Sequence, residues 1–183
     1  MAGLLLAGGT GCFPVVFRPA DAPVVQPGEE LLPDLPGFWR GAVGDQVFLV
    51  FFKPMYAGKD ARVEKYEMVC IRGSDDEEGR FAEQAVVEQF AAFPVAGAKR
   101  KYLILAKPDA PVSPTGETVG LLYEIEMAGP SEMMAWFLAA EEAAQEYLSI
   151  RLDQRLENPE AGHWKRAAPI LFKRTNPIAS PTP

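Results

Sequence analysis

From residue 37 onward the chain is a succession of short segments in which apolar residues occupy alternate positions or unbroken runs, separated by Gly, Pro and acidic clusters. Period-two alternation places every second side chain on one face and marks a strand. Residues 46–53 contain Val-Phe-Leu-Val-Phe-Phe. Residues 62–72 alternate, with Tyr66, Met68 and Cys70 on one parity and Lys65 and Glu67 on the other. Residues 80–93 read as one long strand or two joined by a bend, 100–107 as a short strand, 118–127 as another and 164–174 as the last. A polar, glycine-bounded turn covers 73–79, and a loop with Pro108, Pro111 and Pro114 covers 108–116.

One stretch breaks this rhythm. Residues 139–156 are strong helix formers, and Ala140, Ala144, Tyr147, Leu148, Leu152 and Leu156 form an apolar stripe at helical spacing. Pro159 and Gly162 stop it. Residues 133–138 either open this helix or pair back on 118–127 through Gly129-Pro130, and we favour the strand. The pattern predicts a mainly β fold with one helix (α+β): a small antiparallel β-barrel or sandwich of six to eight strands, with the helix before the last strand. The run at 47–52 has no polar alternation, so both of its faces should be covered from within the chain.

The organisation is that of one domain with extended ends. Residues 13–34 hold Pro14, Pro19, Pro23, Pro27 and Pro33 and read as a Pro-rich tether, with Val15, Val16 and Phe17 as an apolar exception able to contact the domain, a membrane or a partner. A single β-rich domain spans 35–175, and 176–183 form a Pro-rich tail.

Composition narrows the function classes. A net charge of −7 over 183 residues, with basic residues scattered, argues against nucleic acid, whose phosphates require clustered Lys and Arg. Two cysteines, Cys12 and Cys70, cannot frame a domain of this size. Cys70 has the parity of a buried core thiol, and a Cys12–Cys70 bridge is the alternative in a secreted form without lipid. The acidic run Asp75-Asp76-Glu77-Glu78 lacks the spaced oxygens of a calcium loop and reads as a solvated hairpin tip. His163 is the only histidine, no Ser lies in G-x-S-x-G, and the Gly8–Gly11 run lacks the Lys-Ser/Thr of a phosphate loop. Glu124 and Glu126 share a strand face, as outward positions do. We therefore expect no catalytic residues, no metal and no cofactor, and read the chain as a non-enzyme.

Two resemblances add to this. Residues 1–12, Met-Ala-Gly-Leu-Leu-Leu-Ala-Gly-Gly-Thr-Gly-Cys, resemble the end of a bacterial lipoprotein signal, although Gly9 stands where such signals carry an aliphatic residue and no basic residue precedes Arg18. That resemblance implies lipidation at Cys12 and anchoring on the non-cytoplasmic side of a membrane in the bacterial cell envelope. Gly37-Phe38-Trp39 followed by a strand resembles the G-x-W that opens lipocalin-like barrels. In that family the tryptophan closes one barrel end and a late basic residue packs across it; Arg166 or Arg174 is in position to do so.

These readings lead to a lipid-anchored accessory or scaffolding subunit of a larger membrane assembly. The alternative is a lipocalin-like carrier of a small hydrophobic ligand, with Trp39, Tyr66, Met68 and Tyr123 as barrel plug or ligand lining. The carrier requires an open interior not filled by large side chains.

Overall fold

In the computed structural model the described residues are 15–17, 32–57, 62–76, 81, 85–96, 100–110, 118–140 and 164–175. All regular structure among them is β-strand: β1 (Val15–Phe17), β2 (Gly37–Val43), β3 (Gln46–Ala57), β4 (Arg62–Gly73), β5 (Val86–Ala96), β6 (Lys101–Ala106), β7 (Thr118–Met127), β8 (Glu132–Ala140), β9 (Trp164–Arg166) and β10 (Ile170–Thr175). Strands β2 to β8 form an antiparallel meander, and β10 inserts between β8 and β2 to close it. The result is a closed eight-stranded barrel, so neither end of the meander is left as a free edge.

Residues 133–138 belong to a strand, as the Gly129-Pro130 turn suggested: β8 pairs with β7 from Met127↔Met133 to Tyr123↔Phe137. Ala139 and Ala140, expected to begin the helix, extend this strand, and the rest of that segment lies outside the described residues. The last expected strand is two pieces, β9 on β8 and β10 on both β8 and β2. Within the tether, β1 pairs with the start of β7, Val15 opposite Gly120, which gives the Val15-Val16-Phe17 segment a backbone partner on the barrel. Cys12 lies outside the described residues, as does the tail at 176–183.

Alternation sends one set of side chains inward. Phe48, Val50 and Phe52 of β3 meet Tyr66, Met68 and Cys70 of β4, Phe90 and Ala92 of β5, and Ile170 and Phe172 of β10 in one buried core. Close packing demands small residues where large ones cross. At Gly41 a Cβ would stand 2.7 Å from the Phe172 ring and 3.0 Å from Ile170.

Strand β3 is covered less fully than its composition suggested. Val47, Phe48, Val50 and Phe52 are buried, but Leu49 and Phe51 are half-buried, and the outer cover of Phe51 includes Phe38, stacked on it at 4.4 Å. The strand buried on both faces is β6. Its outward Tyr102, Ile104 and Ala106 form a second apolar cluster with Phe93, Val95, Leu122 and Leu138.

One end of the barrel is sealed around Trp39. The residue is fully buried, and its indole N–H donates to the Leu35 carbonyl at 2.8 Å. Leu32 and Leu35 are also fully buried, and the Tyr66 hydroxyl donates to the Leu32 carbonyl at 3.2 Å. Of the two late arginines, Arg174 takes the position across the tryptophan, its guanidinium carbon 4.6 Å from the ring centroid. Its nitrogens donate to the carbonyls of Pro130 (2.6 Å), Pro36 (2.8 Å) and Asp34. Gly37 has φ of +122° and an added Cβ would come within 2.8 Å of Arg174 Nη1, so both backbone conformation and space select glycine beside the arginine.

Removing the seal should be costly. Trp39→Ala is expected to lower stability by about 3–5 kcal/mol, as for other large buried aromatics. Arg174→Lys keeps the charge but loses the planar fork, and with the group exposed the loss should be smaller, about 1–2 kcal/mol. Urea denaturation followed by tryptophan fluorescence measures both, and a Trp39→Ala variant as stable as wild type would contradict the plug assignment.

Candidate functional site

Opposite the sealed end, the inward positions change character. On β4 the parity that carries Met68 and Cys70 ends at Arg72, and on β5 the first buried residue with the parity of Phe90 is Glu88, after the exposed Val86. Register places Cys70 opposite Glu88 and Arg72 opposite Val86, so Arg72 and Glu88 are diagonal neighbours on adjacent strands. Both line a cavity of about 70 Å³ whose wall is otherwise dominated by apolar and aromatic side chains, Phe48, Met68, Phe90, Tyr123 and Met133 among them.

Glu88 is a buried carboxylate at 9% exposure. Its Oε1 accepts a 2.9 Å hydrogen bond from Lys107 Nζ, and the same ammonium lies 4.3 Å from the Phe90 ring centroid. Glu88 Oε2 is buried and has no partner among the described residues. Arg72 is half-buried and makes no ion pair among the described residues. Among the described residues, a buried acceptor without a donor thus lies near a half-buried guanidinium at one end of a largely apolar cavity.

Cys70 lines the same cavity beside them. Burial foremost, then the neighbouring Glu88 charge, push its thiol up to about 11, against smaller opposing effects of Arg72 and Lys107. Among the described residues it is a free, buried thiol.

The four residues selected from the sequence as plug or lining fall in two groups. Trp39 and Tyr66 belong to the sealed end, while Met68 and Tyr123 line the cavity. Arg72, Glu88 and Lys107 were not anticipated. The available signal was parity: Arg72 and Glu88 are charged residues at positions in phase with the core-facing residues of their strands.

Other charged groups have structural partners. Glu124, on the outer face, is buried and accepts from Arg100 at 3.0 Å and from both Nε and Nη2 of Arg166, whose guanidinium also lies 5.1 Å from the Trp136 ring. Glu126, two residues along on the same face, is exposed and lines the same surface depression as Glu124, Arg100 and Arg166. The acidic turn is not a simple solvated tip: Asp75 is ion-paired with Arg40 and bridges to Phe81 across the turn, while Glu77 and Glu78 lie outside the described residues. Among the described residues no group of three metal-ligating side chains occurs.

No protein-family model, no curated protein and no solved structure matches this chain.

The environment of Cys70 makes a pH-dependent prediction. With its folded pKa at about 11, above the ordinary 9.0, the thiol stays protonated through neutral pH. Alkylation of Cys70 in the native protein by iodoacetamide, read by peptide mass, should be slow at pH 8 and still rising at pH 10, where an exposed thiol has levelled off. By linkage, the contribution of the protonated thiol to stability is complete below pH 9 and is lost as pH rises through 11. Fast native labelling at pH 8 would contradict a sealed thiol.

Proposed function

We propose that this chain is a non-enzymatic accessory or scaffolding subunit of a larger membrane assembly, held on the non-cytoplasmic side of a bacterial envelope membrane by lipid on Cys12. The observation that carries the reading is the filling of the barrel. The cavity of about 70 Å³ is less than half of the roughly 150 Å³ in which an apolar cavity holds benzene, and small-molecule pockets run from about 300 Å³ upward. Such a barrel serves as a rigid body more readily than as a container.

Its outer surface suits contact. Phe38 and Leu171 are 36% and 47% exposed on the neighbouring strands β2 and β10, beside the half-buried Phe51 and Leu49. The β1 segment rests against β7, while Leu32 and Leu35 are buried near Trp39, so the N-terminal approach meets the barrel at more than one place. Anchoring rests on the Leu-rich, small-residue run that ends at Cys12. Full acylation would hold the domain stably, since one chain alone binds a membrane reversibly.

The carrier of a small hydrophobic ligand is the second reading, favoured by the apolar cavity wall that includes Met68 and Tyr123. The cavity size restricts it to a ligand smaller than benzene.

Fractionation of bacteria expressing the chain with its native leader tests the proposal. Wild type should be found in the membrane fraction and co-purify, after gentle solubilisation, with a larger assembly. Cys12→Ser should be released or left unprocessed, and Phe38→Glu should weaken co-purification without unfolding the domain. Recovery of the wild type as a free monomer containing an apolar molecule would reject the scaffold in favour of the carrier.

A further inference from the structure

We propose that the surface depression between the start of β6 and the end of β7 binds a phosphate monoester group through Arg100, Lys101 and Arg166. The site is separate from the barrel cavity and stands whether or not the outer surface docks on a larger assembly.

Glu124 is the centre of the arrangement. It is buried on the outer face of β7 at 5% exposure, and two arginines from distant parts of the chain converge on it. Arg100 Nη1 and Arg166 Nε donate to the same oxygen, Oε2, each at 3.0 Å, and Arg166 Nη2 donates to Oε1. One shared acceptor atom thus holds side by side two guanidiniums that would otherwise repel each other. The Trp136 ring, its centroid 5.1 Å from the guanidinium carbon, fixes Arg166 further. Glu124 is therefore a positioning residue for the pair.

Their donors are not used up. Arg100 keeps Nε and Nη2, and Arg166 keeps Nη1, none with an acceptor among the described residues. Lys101, exposed at the first position of β6, has no ion pair among them either. All three side chains line one depression of about 490 Å³.

Charge and shape define the ligand. Three cations meet two carboxylates in this depression. Glu124 is buried and already shared by the guanidiniums, while Glu126 is exposed, where water and salt screen it. The surplus is positive although the whole chain carries −7, so an anion is drawn by these side chains and not by the field of the protein. Guanidinium N–H groups match the oxygens of carboxylates and phosphates alike. A carboxylate brings two oxygens and one charge. A phosphate monoester brings three free oxygens and a charge of about −1.5 to −2 near neutral pH, which gives one oxygen to each cationic side chain. The depression is much larger than a bare phosphate and falls in the range of about 300–1,000 Å³ typical of small-molecule sites. Ile125 and Met127 in its wall leave an apolar surface for the organic part of an ester.

The test titrates the full chain with inorganic phosphate at constant ionic strength, with chloride making up the balance. The Nε–H resonances of Arg100 and Arg166 are followed by NMR, and both should shift saturably. Acetate should bind at least about tenfold more weakly, the loss of one charge-assisted contact. Arg100→Gln should weaken phosphate binding by a similar factor. Lys101→Gln, at an exposed position, should do the same with the thermal midpoint retained, and it decides the matter if the other variants do not fold. Glu126→Gln should tighten binding about twofold, because it removes a screened repulsion. Glu124→Gln separates positioning from charge: it adds to the positive surplus, yet loss of the shared acceptor should weaken binding, and tighter binding would overturn its role. Glycerol 1-phosphate and vesicles of phosphatidic acid in phosphatidylcholine then distinguish the source of the ester. Displacement of phosphate by the soluble ester assigns a small molecule, and displacement by the vesicles alone assigns a lipid headgroup. The proposal is overturned if phosphate gives no saturable shift, if acetate binds as tightly, or if neither ester displaces phosphate. It is equally overturned if folded Lys101→Gln and Arg100→Gln bind phosphate like the wild type.

Discussion

Everything in this structure depends on the closure of the meander by β10. Strands β2 to β8 follow one another with local pairings, but an open sheet of seven strands would expose a long edge at each end. Strand β10 removes both edges, pairing with β8 from Ile170↔Ala135 to Lys173↔Glu132 and with β2 from Leu171↔Ala42 to Thr175↔Phe38. Arg174 carries this closure beyond backbone pairing. It joins the last strand to the carbonyls of Pro130, Pro36 and Asp34 and covers Trp39, bringing together points as far as 140 positions apart in the chain. Contacts of such separation pay loop-closure entropy before they return any stabilisation, so this last step is where slow folding is to be expected.

Closure also explains the division of the interior. At the sealed end, Trp39, Leu32, Leu35 and Tyr66 fill the space, and the polar atoms of the two large aromatics are satisfied by the carbonyls of Leu35 and Leu32. In the middle, packing is tight enough that Gly41 admits no Cβ against Phe172. At the other end, Arg72, Glu88 and Lys107 introduce charge where the strands approach the loops. A seal satisfied internally at one end and a half-satisfied polar group at the other make the barrel chemically directional. The first end is built for stability; the second has hydrogen-bonding capacity left over.

Much of this was legible in the sequence because strand parity is a local property. The bounds of β7 were read to the residue, and the tyrosine and methionine of β4 fell on the inward face with Cys70. What parity alone does not encode is which flank of a closed barrel will be covered. Residues 47–52 and 101–106 are both nearly continuous apolar runs, yet only the second is buried on both sides. That outcome depends on tertiary neighbours of the outer face. The same limit applies to the arginines: Arg166 and Arg174 were equivalent candidates in the sequence, and it took the pairing of β10 with β2, Arg174 opposite Trp39, to separate them. Arg166 is instead drawn to Glu124 by the pairing of β9 with β8. The charges near the cavity were missed because Arg72 and Glu88 become neighbours only through the β4–β5 register.

The outer surface is asymmetric in a way that constrains any partner. Along β5, β6 and β7 the outward Phe93, Val95, Tyr102, Ile104 and Leu122 are buried, and the clamp of Arg100 and Arg166 on Glu124 fixes the margin of that flank. Around β2, β3 and β10 the outward Phe38, Leu49, Phe51 and Leu171 retain exposure. Arg40, held by Asp75, and the Lys53–Glu67 pair stand among these apolar positions. An apolar patch with charges already paired internally costs a partner less desolvation than one with free charges, because those ions remain neutralised when water leaves. It also gives little electrostatic steering, so association there would proceed at the ordinary rate of a neutral interface. Were the chain held on the same membrane as a partner, as proposed, that would be no handicap, since a tether raises the local concentration and replaces long-range attraction by proximity.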